Sequence, residues 1–268
     1  MARVRVAFVG KGGAGKSTIA GTFARLLART TGEPVLAIDS DPMPGLAYAL
    51  GVPVDDDPIP DEAVVPGPEG GPRWVLRPDL TPVDVVERWA VEGPDGVRHL
   101  QFGNLWGHVS TLQRAQHAWS EVVRELDPGA FHLVGDLPGG TRQAMAGWAR
   151  YAEVVCVVVE PTTTSLHSGR RLLNLGAASW GPRHLLVVAN KVTGADDVSR
   201  IERRLGRPVI SAVTADAGVV VADRRADSPL DAVPAGPLVA AVAGLVSEVS
   251  SLYPLDEAPA RLGRRTVG

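Results

Sequence analysis

The chain has 268 residues, a formal net charge of −3 and 45% hydrophobic residues. Such a composition supports a sizeable core and excludes extended disorder, and the charge gives no global basic field to attract nucleic acid or acidic lipid. No window of about 20 residues is apolar enough to span a bilayer, and no basic-then-apolar leader precedes the first strand. The single cysteine, Cys156, rules out an intrachain disulfide and suits a reducing compartment. We therefore expect a soluble cytoplasmic protein that binds neither nucleic acid nor membrane.

The chain opens with an apolar run, a glycine-rich loop and a helical pattern. Residues 4–9 predict a buried strand, the loop spans Gly10–Thr18, and the helical pattern continues to about Arg29. The loop matches G-x-x-x-x-G-K-[ST], whose glycines let backbone N–H groups turn onto phosphate oxygens at a helix N-terminus. We predict that Lys16 reaches the β- and γ-phosphates and that Ser17 binds Mg²⁺. The predicted nucleotide-binding positions here are Gly12, Gly13, Ala14, Gly15, Lys16, Ser17 and Thr18.

A second buried strand, over residues 34–38, leads directly into two carboxylates, Asp39 and Asp41. Ligands of open parallel sheets collect beyond the carboxyl ends of the strands, so these side chains are predicted to face the loop. The same residues would also suit a helix N-cap or a turn. Residues 51–97 are turn-rich and acidic, which indicates an insertion with one short helix within 81–90. Its three consecutive aspartates are interpreted as a solvated acidic loop.

Two more strands are predicted over residues 98–103 and 131–135, with a helix over 111–126 between them. The second strand ends in Asp136, and glycines follow closely. This arrangement is typical of the Walker B and switch II segments of nucleotide hydrolases. Asp136 is therefore predicted to hold Mg²⁺ through water, and the Gly139 amide to sense the γ-phosphate.

The second half of the chain continues the alternation of strands and helices. Strands are predicted over 154–159, 184–189 and 208–213, and helices over 165–178 and 237–252. This spacing predicts a three-layer, doubly wound and mostly parallel α/β sheet. Without an internal repeat or a convincing linker, we expect one domain over residues 1–268.

Asn190 and Lys191 follow one of these strands and indicate the place where the base binds. A guanine-specific site would continue N-K with x-D, but Thr193 stands at the position of the aspartate. Without that carboxylate, the N1–H and N2 donors of guanine lose their acceptor, so the sequence favours adenine.

Together these motifs resemble the deviant Walker A ATPases, which have a P-loop NTPase fold and a signature lysine, here Lys11. The resemblance extends in particular to the accessory ATPases of carbon monoxide dehydrogenase maturation. It implies an ATP-bound homodimer in which Lys11 reaches the nucleotide of the partner subunit; a solvated loop lysine is the alternative. It further implies that Asp39 holds Mg²⁺ through water, that Asp41 activates the attacking water and that Asp216 begins the loop beside the base. The branch resemblance is carried by Asp39–Pro42, Gly103–Asn104, Glu160–Thr162 with Ser165–Leu166, and Asn190–Val192.

One departure from that branch concerns metal handling. Its nickel-handling members carry a Cys-x-Cys pair after the strand that corresponds to residues 98–104, and this chain has none there. Soft-metal sites need several thiolates, so nickel or iron–sulfur binding of that kind is not supported. His99, His108 and His117 are nine residues apart, and simple periodicity does not bring two of them to one face. Cys156 is interpreted as a buried apolar residue.

Three functions therefore compete. The first is an ATP-gated homodimer that acts on an unidentified client protein in metalloenzyme maturation. The second is a positioning ATPase of the Min/Par kind, which would need a basic tail or stripe of which Arg261, Arg264 and Arg265 are only a trace. The third is a nucleotide-binding regulator that does not hydrolyse ATP.

Overall fold

The structure is a computed structural model and describes residues 3–41, 45–54, 63–71, 74–101, 119, 122–123, 125–126, 129–140, 148–179 and 182–253. Its strands are β1 (Arg5–Gly10), β2 (Val35–Asp39), β3 (Val64–Pro66), β4 (Trp74–Leu76), β5 (Val91–Glu92), β6 (Val97–Gln101), β7 (His132–Asp136), β8 (Val154–Val159), β9 (His184–Val192) and β10 (Val209–Thr214). Its α-helices are α1 (Lys16–Thr31), α2 (Leu46–Leu50), α3 (Pro82–Trp89), α4 (Thr163–Ser179), α5 (Ala195–Leu205), α6 (Ala217–Arg224), α7 (Pro229–Ala232) and α8 (Pro237–Ser251).

Eight strands form one sheet in the order β10-β9-β8-β1-β7-β2-β6-β5. Seven are parallel, and the short β5 pairs antiparallel with β6 at one edge. The central strands are continuous apolar runs because helices cover both of their faces. All six residues of β8, for example, are buried. The predicted doubly wound, mostly parallel sheet is confirmed.

The core consists of two layers, one on each side of the sheet. Successive side chains of a strand point to opposite faces, so Phe8 and Cys156 lie in the layer beneath α1, α2 and α8. Val9 and Val157 lie in the other layer, with apolar residues of α3, α4 and α5. Because helices cover both faces of the sheet, a ligand can reach it only at the edge where the parallel strands end.

The inserted region contains more regular structure than its composition indicated. The described part includes the antiparallel pair β3–β4 as well as a helix close to the predicted short one. That helix, α3, begins with a capping box between Thr81 and Asp84. The predicted strand over 184–189 also continues to Val192, and α5 and α6 were not predicted. Most of the predicted helix over 111–126, with His108 and His117, falls outside the described residues.

A buried arginine on α1 joins this helix to segments distant in the sequence. Arg25 is 2% exposed, and its guanidinium donates to Asp95 at 2.7 Å and to Ser228 Oγ at 2.9 Å. It also donates to both carboxylate oxygens of Asp231, at 2.5 and 2.9 Å. Arg29, one turn later on the same helix, contacts the same two aspartates but is 43% exposed.

Replacing Arg25 by alanine is expected to lower the free energy of unfolding by about 3 kcal/mol, because it removes the buried donor to the Ser228 hydroxyl and leaves both carboxylates with only the more exposed Arg29. Arg29→Ala removes the same charge from a more exposed position and is expected to cost about 0.5 kcal/mol. Urea unfolding followed by circular dichroism measures both. Equal losses in the two variants would show that burial of Arg25 contributes nothing beyond its charge.

Candidate nucleotide site

The glycine-rich loop leads from β1 into α1 at the carboxyl edge of the sheet. Gly15 is the N-cap of α1 in a left-handed conformation (φ 88°), and no side chain caps the helix. The N–H groups of the first turn therefore keep their capacity to bind an anion, and the helix dipole favours a negative charge there. Lys16 is the first residue of α1, and its side chain is almost completely buried beside the loop.

The loop packs against the switch segment after β7 through backbone atoms. A Cβ on Gly139 would lie 2.8 Å from the Gly12 nitrogen, and one on Gly10 would lie 2.5 Å from the Val158 carbonyl oxygen. The Gly140 N–H donates to the Gly10 carbonyl at 3.1 Å. These contacts explain why glycine occupies both segments: any side chain would separate the loop from its neighbours.

Ser17 and Asp136 meet under the loop. The Ser17 hydroxyl donates to Asp136 Oδ2, while Oδ1 of the same carboxylate is buried and has no hydrogen-bond partner among the described residues. Burial raises the pKa of Asp136, and the nearby charge of Lys16 and the hydrogen bond from Ser17 oppose that increase. The structure thus brings Ser17 and Asp136 together, with Lys16 nearby.

Asp39 lies beside Asp136, since β2 and β7 pair in register at these two residues. Its carboxylate accepts the N–H groups of Asp41 at 2.9 Å, Gly45 at 3.2 Å and Leu46 at 3.0 Å. Burial and the neighbouring Asp136 raise the pKa of Asp39, and the backbone donors oppose that increase. Asp39 therefore also has the turn-holding role that the sequence left open. Asp41 is half-buried in this turn, and Pro42 lies outside the described residues.

These oxygens fit Mg²⁺ by their chemistry. Mg²⁺ usually takes one or two protein oxygens and completes its shell with phosphate and water. The Ser17 hydroxyl and the unpartnered Asp136 Oδ1 supply such oxygens, and two adjacent buried carboxylates with raised pKa are a place where a cation is favourable. Among the described residues, no group of three or more His, Cys, Asp or Glu forms an all-protein metal site.

A cavity of about 260 Å³ continues from the loop and has the character of a base pocket. One wall is apolar and the other carries the polar groups of Asn190 and Asp216. The pocket is lined by Gly15, Thr18, Asn190, Lys191, Val213, Thr214, Ala215, Asp216, Ala217, Val219, Val220 and Leu238. The apolar residues that β10, α6 and α8 contribute could not be predicted from a local motif, because they come from three separate segments.

Asn190 and Lys191 hold the loop as well as lining this pocket. Asn190 Nδ2 donates to the Ala14 carbonyl at 2.7 Å, and its Oδ1 accepts the Lys191 N–H at 2.9 Å. The amide retains one N–H and one lone pair, so a base edge can still be bound. Lys191 has a left-handed backbone (φ 56°), and its ammonium contacts the Gly13 carbonyl at 2.7 Å and Glu160 at 2.6 Å. Sequence reasoning did not assign Glu160 this contact; its position directly after β8 was the available signal.

The side chains of two predicted residues, Asp216 and Lys11, form no hydrogen bond to the described residues of the glycine-rich loop. Asp216 is the N-cap of α6, where its Oδ1 accepts the Gly218 N–H at 2.7 Å. Lys11 is half-buried, and its carbonyl accepts the Ala14 N–H at 3.1 Å. The Lys11 ammonium makes no hydrogen bond or ion pair with any residue that the structure describes.

This chain is similar to known nucleotide-binding proteins over most of its length. A model of the family described as the CobQ/CobB/MinD/ParA nucleotide binding domain matches residues 6–230. The carbon monoxide dehydrogenase accessory protein CooC of Rhodospirillum rubrum is 27% identical over 245 residues, which cover 87% of this chain and 91% of that protein. An uncharacterized ATP-binding protein of Methanocaldococcus jannaschii is also 27% identical, over 81% of this chain and 87% of its own length.

Solved structures show the same fold at lower identity. The septum site-determining protein MinD from Pyrococcus horikoshii, complexed with Mg-ADP, has a TM-score of 0.72 at 19% identity and covers 94% of this chain and 97% of its own. A ParA family ATPase from Chlorobium tepidum has a TM-score of 0.70 at 16% identity, with 92% and 99% covered. In the part of the chain that the structure describes, no helix has the length and apolarity needed to cross a bilayer. From its fold, its loop and the family model, this chain belongs to the CobQ/CobB/MinD/ParA family of nucleotide-binding domains, and its fold is that of their P-loop ATPases.

Proposed function

We propose that this protein is a Mg²⁺-dependent ATPase whose two copies close around ATP and act on a client protein in metalloenzyme maturation. The observation that carries the ATPase proposal is the contact of Ser17 with Asp136 directly beneath the glycine-rich loop. The likeness to CooC over most of both chains supports the maturation role. The single cysteine, which is buried, supports a cytoplasmic location.

Each step of the proposed reaction is assigned to residues already located at the site. The loop amides and Lys16 bind and orient the phosphates, and the Gly139 amide approaches the γ-phosphate. Asp41 orients the attacking water and accepts a proton from it. Ser17, Asp136 and Asp39 would hold Mg²⁺, which supplies neutralisation of the charge on the β- and γ-phosphate oxygens.

We propose that the base of the nucleotide binds in the cavity of about 260 Å³ and that this cavity prefers adenine to guanine. Asn190 presents an amide to the base edge, and Thr193 stands where a guanine-specific site would carry an aspartate. Competition of ATP and GTP for a fluorescent nucleotide measures this preference. Equal affinities would remove the adenine assignment and leave the phosphate site intact.

The proposed dimer depends on Lys11. Its ammonium has no partner among the described residues of its own subunit, which suits a role across an interface. Lys11→Ala is therefore expected to retain nucleotide affinity within about threefold, since Lys16 and the loop amides remain, while ATP-dependent dimerisation is abolished and turnover falls at least about a hundredfold.

Sedimentation velocity with a non-hydrolysable ATP analogue measures the dimer, and Arg203→Ala is the matched control because it removes an exposed cation that lies outside the glycine-rich loop and the base pocket. An unchanged ATP-dependent dimer in Lys11→Ala would contradict the role across the interface. The client is identified by co-purification with Asp41→Asn, which should retain ATP without hydrolysing it.

A further inference from the structure

A second concave site lies between α4 and α5, on the face of the sheet opposite α1. It is a cleft of about 150 Å³. Its lining residues are Thr163, Leu166, His167, Arg170, Arg200 and Arg204. None of them lines the base pocket described above. The cleft is therefore separate from the proposed nucleotide site.

Helical periodicity explains why these side chains converge. Thr163, His167 and Arg170 are spaced by four and three residues, so they form one stripe along α4. Arg200 and Arg204 are four residues apart and form a matching stripe on α5. The two helices are in contact, and Leu166, Val198 and Ile201 belong to the same core layer, so the two stripes border one groove.

The charge of the cleft is of one sign. Three guanidinium groups line it and no carboxylate does. Arg170, Arg200 and Arg204 form no ion pair with a described residue. Asp197, on the same helix as Arg200, accepts hydrogen bonds from the N–H and hydroxyl of Thr193 and forms no ion pair with Arg200. Like charges that line one small cleft repel each other, and an anion bound between them removes that repulsion.

The ligand chemistry follows from the donors. Guanidinium forks match the oxygens of a phosphate group and bind them bidentately. The first turn of the 17-residue α4 adds backbone N–H groups and the positive end of the helix dipole beside Thr163. We propose that this cleft binds a single phosphate group, carried by a small phosphorylated ligand or present as free phosphate.

Size and surrounding charge favour this over a nucleic-acid backbone. A duplex needs a basic track that neutralises many phosphates. Here the donors surround one small concavity, and Asp196, Asp197 and Glu202 interrupt the positive charge along α5. The whole chain is also net negative.

Equilibrium dialysis of radiolabelled inorganic phosphate tests the proposal at constant ionic strength, with a Mg²⁺-loaded non-hydrolysable ATP analogue present to fill the loop. The double variant Arg170→Gln/Arg204→Gln is expected to weaken phosphate binding at least about tenfold. The matched control is Arg171→Gln/Arg203→Gln, which removes two exposed arginines of the same helices that do not line the cleft. It is expected to change binding less than about twofold.

The deciding measurement is the amount of bound phosphate that Arg170→Gln/Arg204→Gln loses and Arg171→Gln/Arg203→Gln keeps. Phosphate bound in the glycine-rich loop is the same in both variants and therefore does not affect this difference. The proposal would be overturned if the wild-type protein bound no phosphate while the loop is filled, or if both variants lost the same amount. Binding of a short DNA duplex that excludes phosphate and is lost only in the cleft variant would overturn it as well. Substitutions at exposed arginines should leave the melting temperature within about 2 °C, which confirms folding.

Discussion

Asp136→Asn is expected to lower Mg²⁺-dependent ATP hydrolysis at least about a hundredfold and, without nucleotide, to stabilise the fold. The change keeps the shape of the side chain and an oxygen that can accept the Ser17 hydroxyl. It removes one of two buried carboxylates that lie side by side on β7 and β2. The loss of activity and the gain in stability have the same cause, because these charges are unfavourable until a cation is present.

The gain in stability should depend on pH with a defined sign. The pKa of Asp136 is raised in the folded state, chiefly by burial, so the folded protein binds this proton more tightly than the unfolded chain does. Its carboxyl therefore costs nothing near the unfolded value of about pH 4, and costs stability as pH rises through the folded value. The free energy of unfolding of Asp136→Asn should match that of wild type below about pH 4 and exceed it by about 2–3 kcal/mol at pH 8.

Urea unfolding of both proteins without Mg²⁺ or nucleotide, at a series of pH values, measures this difference. Asp136→Ala is the matched control, because it removes the same charge but also leaves the Ser17 hydroxyl without its acceptor. A difference that stays constant with pH would contradict the electrostatic origin. Retained Mg²⁺-dependent hydrolysis would remove Asp136 from the metal site.

Gly15→Ala is expected to reduce nucleotide affinity at least about a hundredfold. The Cβ would lie 2.2 Å from Asn190 Nδ2, which closes both the loop and the base pocket. Gly15 is also left-handed, a conformation that costs alanine about 1–2 kcal/mol. The substitution therefore combines backbone strain with the displacement of Asn190.

Gly32→Ala separates these two causes. Gly32 is the C-cap at the other end of α1 and is also left-handed (φ 65°), but a Cβ there meets nothing within 4 Å. It should lose stability of about 1 kcal/mol and keep its nucleotide affinity. Isothermal titration with ADP measures affinity in both variants. Similar losses in the two would attribute the effect to helix stability rather than to Asn190.

Local chemistry made much of the site predictable. The glycines and Lys16 are contiguous, and their required spacing can be read directly from one strand–loop–helix unit. Asp39 and Asp136 were found because buried parallel strands are apolar throughout, so a carboxylate at the end of such a strand is conspicuous. The sequence by itself therefore determined the sheet, the loop and which strand ends carry its polar residues.

Only the tertiary structure showed which side chains from distant segments of the chain come into contact. The register of β2 with β7 sets Asp39 beside Asp136, and their mutual repulsion exists only in that pairing. Likewise, Lys191 reaches Gly13 and Glu160 because the end of β9 lies beside the glycine-rich loop and the segment after β8. The arginine cleft arises from the packing of α4 on α5, a helix that was not predicted from the sequence. Periodicity fixes the face of a helix on which a residue lies, but only packing fixes which two faces meet.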